Sequence, residues 1–178
     1  MRRLGLLLGA CALPVALSGC GLQPLYGGGV NGPVQSTLAA VEVAPIEGQS
    51  GWLVANALRD RLVTGQSAAP RYRLDVRLDD RIAGLGVRRD DSVARERRTL
   101  RARYQLIELS TGSVVLDATA GSDAGIDVVG SEYATIAAER TALERLSDIV
   151  ADQIVARVAR FAQNPRPAQD PTTPATAQ

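Results

Sequence analysis

The chain switches between a two-residue and a roughly 3.6-residue apolar period. The alternation is clearest from Arg71 to Asp79, where Tyr72, Leu74, Val76 and Leu78 interleave with Arg71, Arg73, Asp75, Arg77 and Asp79. That pattern predicts a strand with one buried and one wet face. Leu38 to Ile46 reads as an earlier strand, edged by Pro45, which cannot donate to a ladder. Between the two strands, Leu53, Val54, Ala57, Leu58 and Leu62 recur at helical spacing. A helix is expected over Gly51 to Thr64, with Ser50 as N-cap and Gly65 just past the end.

Further along, Ile82 to Asp91 is broken by glycines and charges, and reads as a strand end plus a hairpin loop. Val93 to Leu109 is the second long strand, with Leu100, Ala102, Tyr104 and Leu106 inward and Arg101, Arg103 and Gln105 outward. Ser110-Thr111-Gly112 forms a tight turn. Val114, Leu116, Ala118 and Ala120 then alternate with Val115, Asp117 and Thr119, and Gly121 to Gly130 reads as a polar loop. Ser131 caps a long helix over Glu132 to Ala162, whose apolar stripe is Ile136, Leu143, Leu146, Val150, Ile154, Val158 and Phe161. The expected order is β-α-β-β-β-α. The expected fold class is α+β, a two-layer sandwich with a four-stranded, mostly antiparallel sheet and two helices packed on one face. An antiparallel sheet can leave its other face in water.

The N-terminus follows other rules. Arg2-Arg3 precede an apolar run from Leu4 to Leu17, interrupted by Pro14. The run has signal-peptide length and is short of the roughly 20 residues of a membrane-spanning helix. Leu17-Ser18-Gly19-Cys20 closes it with small residues and a thiol, the arrangement of a lipoprotein cleavage and lipidation site. Residues 1–19 are thus expected to be a signal peptide, and Cys20 the lipidated first residue of the mature chain. Gly21, not Asp, follows the cysteine, which favours the outer membrane over inner-membrane retention. Residues 20–36 form a Gly-rich tether containing Leu22, Leu25 and Tyr26, large groups that are expected to pack on the domain or on a partner. The domain spans 37–162. Residues 163–178 are Pro- and Ala-rich, without periodicity, and read as a disordered tail.

Composition removes several function classes. All twenty basic residues are Arg, and the chain has no His and no Lys. The usual general base and the commonest metal ligand are therefore missing. Asp79-Asp80 and Asp90-Asp91 read as solvated turn residues. No cofactor or metal site is expected, and none of these residues is assigned catalysis. The formal net charge is +1, which does not suggest nucleic-acid binding. Of the two cysteines, Cys11 is lost with the leader and Cys20 is consumed by lipid.

One charge feature stands out. From Arg71 to Arg103 there are eleven Arg and six acidic residues. Arg71, Arg73, Arg77, Arg101 and Arg103 fall on the outward faces of the two long strands, and Arg88, Arg89, Arg95, Arg97 and Arg98 crowd the hairpin. Guanidinium groups hold phosphates and carboxylates bidentately, so this face could bind a phosphorylated lipid. Equally, it could be a solvated face neutralised by ion pairs to Asp75 and Asp79.

Cys20-Gly21-Leu22-Gln23-Pro24-Leu25-Tyr26, followed by strand, helix, three-strand meander and long helix, resembles the LPS-assembly lipoprotein family LptE of alphaproteobacterial type. Leu22 stands where that family more usually has Phe. The resemblance implies a non-enzymatic outer-membrane lipoprotein anchored through Cys20. It would sit on the periplasmic side within the lumen of an LptD-type β-barrel, help assemble that barrel, and assist insertion of lipopolysaccharide into the outer leaflet. The implied partners are that barrel, lipopolysaccharide and the membrane. The Arg-rich strands would meet the barrel wall or lipid A phosphates. An auxiliary lipoprotein of an ABC-type lipid transporter is the alternative, and a lipid-anchored hydrolase is disfavoured by the missing His and Lys.

Overall fold

The computed structural model describes residues 32–62, 69–87, 93–128 and 131–164. Seven elements follow in order: α1 (Pro33–Ala39), β1 (Val41–Val43), α2 (Gly48–Leu62), β2 (Tyr72–Val87), β3 (Val93–Glu108), β4 (Val114–Asp127) and α3 (Glu132–Gln163). The strands form one sheet in the order β1-β2-β3-β4. β1 runs parallel to β2, while β2–β3 and β3–β4 are antiparallel. This is the expected α+β sandwich with one helix added at its start. The leader, Cys20 and the tether up to Asn31, together with the tail from Pro165 on, lie outside the described residues.

The first predicted strand needs correction. Its first two residues, and the end of the expected tether before them, are helical: α1 starts on Pro33, whose fixed φ suits the first helical turn, and it buries Val34 and Leu38. Leu38 and Ala39 thus pack as helix, and only Val41 to Val43 reach the sheet. Ala44 still donates to the Leu74 carbonyl at 3.1 Å, and Pro45 then takes the chain away. Helix α2 begins earlier than expected, at Gly48, so Ser50 lies within its first turn and is not its N-cap.

The strands are longer than the alternation over Arg71–Asp79 suggested. β2 and β3 pair in one constant register from Tyr72↔Glu108 to Val87↔Val93. β4 continues through the stretch expected to be a polar loop as far as Asp127, which opposes Arg95. Its period of two in fact persists there, with Ala120, Ser122, Ala124 and Ile126 on one side and Gly121, Asp123, Gly125 and Asp127 on the other. Glycine and serine masked the signal.

α3 is capped as expected: the Ser131 hydroxyl accepts from the Ala134 N–H. Leu143, Leu146, Val150, Ile154 and Val158 are buried against the sheet and α2, whereas Ile136 near its start is exposed. The core is aliphatic, built on Leu58, Leu74, Leu100, Leu106, Leu143 and Ile154, with Tyr104 as its largest buried side chain. Arg61 on α2 clamps Asp148 and Asp152 on α3 across the helix layer. All the helical packing lies on the even-numbered face of β2 and β3, and the odd-numbered face carries most of the charges.

Candidate functional site

The charged face is set by the period of the strands. Odd positions of β2 present Arg73, Asp75, Arg77, Asp79 and Arg81. Odd positions of β3 present Arg95, Arg97, Arg101, Arg103 and Gln105, and those of β4 present Asp117, Asp123 and Asp127. Most of these groups neutralise one another. Arg73 binds Asp75 at 2.8 Å, and Arg81 binds Asp79 at 2.8 Å. Arg95 reaches Asp127 at 2.9 Å and Arg97 reaches Asp123 at 3.8 Å. Arg103 reaches Asp117 at 3.0 Å, where Gln105 also donates at 2.8 Å. Hydrogen bonds from Arg103 and then Gln105 hold the Asp117 carboxyl below the usual carboxylate range. Asp117 in turn raises the Arg103 guanidinium, as Asp75 raises that of Arg73.

The five arginines singled out from the sequence therefore separate. Arg71 pairs with Glu108 at 3.1 Å and lies over the Tyr72 ring, 5.1 Å from its centroid. Arg73 and Arg103 are engaged with Asp75 and Asp117. Arg77 and Arg101 have no carboxylate within ion-pair distance among the described residues. The register explains why. Arg77 faces Arg103, and the residue opposite Arg101 on β4 is Gly121. Asp79, directly opposite Arg101 on β2, turns to Arg81 instead.

Gly121 also makes room for Arg101. A Cβ there would sit 2.6 Å from the Arg101 Cδ and 2.9 Å from the Leu100 carbonyl oxygen. The guanidinium arm of Arg101 lies across the bare glycine. Behind it, the Gln153 amide on α3 accepts from the Gly121 N–H at 3.0 Å and donates to its carbonyl at 3.4 Å, which pins the helix to the sheet edge. An open hollow of about 710 Å³ lies here, lined among others by Arg77, Arg101, Arg103, Thr119 and Gly121. A smaller one of about 320 Å³ is lined by Asp75, Arg77, Arg103 and Gln105. The face thus offers two uncompensated guanidinium groups beside a hollow, an arrangement suited to an anionic oxygen group.

Three sequence expectations change at this face. Arg98 does not join the hairpin charges; it turns to the helix side, bidentate on Asp80 at 2.7 and 2.9 Å and bonded to the Glu139 carbonyl. Asp80 is accordingly a half-buried structural partner and not a solvated turn residue. The carboxylates that neutralise the face come mostly from β4, through Asp117, Asp123 and Asp127, as well as from Asp75 and Asp79. Asp117 lies on the strand already read from the sequence, whereas Asp123 and Asp127 lie in the stretch read as a polar loop and join the face only because β4 runs on to Asp127. Cys20, Arg88 and Arg89 lie outside the described residues. Among the described residues, no group of three or more His, Cys, Asp or Glu side chains could hold a metal ion.

Several solved lipoproteins share this architecture. A putative lipoprotein from Caulobacter crescentus CB15 is 26% identical, with a TM-score of 0.63, covering 77% of this chain and all of that one. A minor lipoprotein from Acinetobacter baumannii is 15% identical with a TM-score of 0.56, covering 74% of this chain and 98% of that one. The rare lipoprotein B from Shewanella oneidensis is 14% identical with a TM-score of 0.55, covering 70% of this chain and 96% of that one. No curated protein matches. The family model for LptE, lipopolysaccharide-assembly, matches residues 38–158, from the end of α1 to the last turns of α3. The chain belongs to the LptE lipopolysaccharide-assembly family.

Proposed function

We propose that this chain is a non-enzymatic outer-membrane lipoprotein, lipidated on Cys20, that plugs and helps assemble an LptD-type β-barrel and assists insertion of lipopolysaccharide into the outer leaflet. Family membership supports the assembly role. The observation that carries the finer reading is the sheet face left bare by the helices. It is densely charged over Arg73 to Arg81 and Arg95 to Gln105, with Leu85 and Ile107 as apolar members, and such charge suits a body seated in the polar lumen of a large barrel. Its two uncompensated guanidinium groups, Arg77 and Arg101, are the points at which it would meet lipid A phosphates or carboxylates of the barrel wall. Arg71, Arg73 and Arg103 border the same contact but are already engaged with carboxylates of their own.

Gentle solubilisation of the outer membrane and purification of the tagged, full-length lipoprotein tests the partner. A large β-barrel is expected to co-purify. Recovery of an ABC permease in its place would move the chain to the transporter-auxiliary role. For the face, Arg77→Glu with Arg101→Glu is expected to weaken lipopolysaccharide capture at least about tenfold, since a charge-assisted hydrogen bond is worth about 1.5–3 kcal/mol. Thermal stability should stay within about 0.5 kcal/mol, as for other surface substitutions away from packed features. Undiminished capture would leave the face as solvated surface only.

A further inference from the structure

The sheet carries a second unfilled feature, on its β2 edge. β1 covers β2 only from Tyr72 to Leu74, and Ala44 donates the last bond of that ladder, to the Leu74 carbonyl, before the chain leaves the sheet at Pro45. Tyr72 donates to the Ala40 carbonyl and Leu74 accepts from Ala44, so the even residues of β2 direct their backbone groups towards the β1 side. Beyond Leu74 the next even residues are Val76, Leu78, Asp80 and Ile82. No backbone hydrogen bond joins the edge-side groups of these four to any described residue. β2 meanwhile remains in regular register with β3 throughout this stretch, without a bulge that would twist the edge away. Natural sheets blunt such edges, because an open ladder recruits another strand.

We propose that the β2 edge from Val76 to Ile82 accepts an extended strand of a partner protein, one that carries an acidic residue opposite Arg77 and apolar residues opposite Leu78 and Ile82. Three observations fix that chemistry. On the outward face Arg73 and Arg81 are satisfied by Asp75 and Asp79, which leaves Arg77, midway between them, without a carboxylate among the described residues. On the helix-side face Ile82 is 43% exposed and Leu78 is only partly buried, so apolar surface there is left without a cover among the described residues. Arg77 points its own backbone groups towards β3. An incoming residue opposite it therefore forms a non-hydrogen-bonded pair, in which side chains approach most closely.

A second copy of the chain fits less well. In antiparallel pairing, the register that sets Arg77 opposite a copy's Asp79 also sets Ile82 opposite the copy's Leu74. That position is already held by the copy's β1. A lone strand from another protein meets no such obstacle. Strand addition of this kind draws affinity from the main chain and specificity from alternate side chains.

The inference does not rest on the lipopolysaccharide contact, and its test contains no phosphate. The probe is a synthetic heptapeptide with Glu opposite Arg77 and Val opposite Leu78 and Ile82, titrated into the isotopically labelled soluble chain from Gly21 onward. Binding is expected to slow hydrogen exchange at the Val76, Leu78, Asp80 and Ile82 amides and to leave the β4 edge unchanged. Replacing the peptide Glu by Lys should weaken it about tenfold. Methylating the peptide nitrogens that face β2 should abolish binding. Equal binding of the methylated peptide, or no added protection at those four amides, overturns the proposal. So does protection that appears without peptide and rises with protein concentration, which would assign the edge to self-association.

Discussion

Arg98 belongs to the hairpin by its place in the chain and to the interior by its contacts. Its side chain is only 12% exposed, and its partner Asp80 is 20% exposed. The pair spans β2 and β3 with fork-to-fork geometry and reaches α3 through the Glu139 carbonyl. Asp80→Ala should therefore cost about 2–4 kcal/mol, towards the value for stripping a buried ion of its partner. Removing a pair such as Arg73–Asp75, whose side chains are each more than one third exposed, should cost far less, because solvent screens an exposed pair. Urea denaturation of Asp80→Ala and Asp75→Ala side by side checks the ranking, and equal losses would refute it. The basic density of this stretch was legible in the sequence, but its division was not. Which arginine is spent and which is free depends on cross-strand register, and the relevant carboxylates lie some fifteen to thirty residues downstream.

At the scale of elements, period and caps carried the prediction where side chains were large, and failed where they were small. β2, β3 and α3 announced themselves through Leu, Val, Ile and Tyr at regular spacing. The second half of β4 did not, because Gly121, Ser122, Ala124 and Gly125 give an alternation with little hydrophobic contrast. The end of α1 reads as strand because Leu38 and Ala39 run on into the alternation of Val41 and Val43, and its start reads as tether, since a seven-residue helix offers too few turns to show its own period. Gly51 yields a test at this level. Inside a helix, Gly→Ala normally gains about 1 kcal/mol. Here the new methyl would sit 2.6 Å from the Ile46 carbonyl oxygen, a backbone atom that cannot swing aside. The close approach between the start of α2 and the chain leaving β1 depends on the missing side chain. Gly51→Ala is expected to destabilise the fold by about 1–3 kcal/mol, as overpacking does, read as a lower urea midpoint with unchanged m-value. A gain in stability would mean that this approach is looser than the contact implies.

For the whole molecule, the decisive fact is that one helix touches almost everything. α3 packs on α1, α2, β3 and β4, and Tyr104 of β3 lies beneath it at 2% exposure. Burial pushes the Tyr104 hydroxyl above its ordinary value near 10, and the charges of Arg157 and Arg160 on α3 offset only part of the rise. The sign of the linkage follows. Below about pH 10 Tyr104 is protonated in both states and contributes no slope. Above it the unfolded chain releases the proton first, while the folded chain holds it, so the native state binds more protons. Stability must then fall as pH rises, until the folded value is also passed. The chain has no lysine, so the background of side-chain titration in this window is unusually clean. Urea midpoints measured from pH 9 to 11 should decline, by at most about 1.4 kcal/mol per pH unit for a single group. Tyr104→Phe keeps the ring and its packing but removes the titrating hydroxyl, and its decline should be shallower. Identical slopes would mean that Tyr104 ionises as easily inside the sandwich as in water, and that α3 does not seal the sheet beneath it.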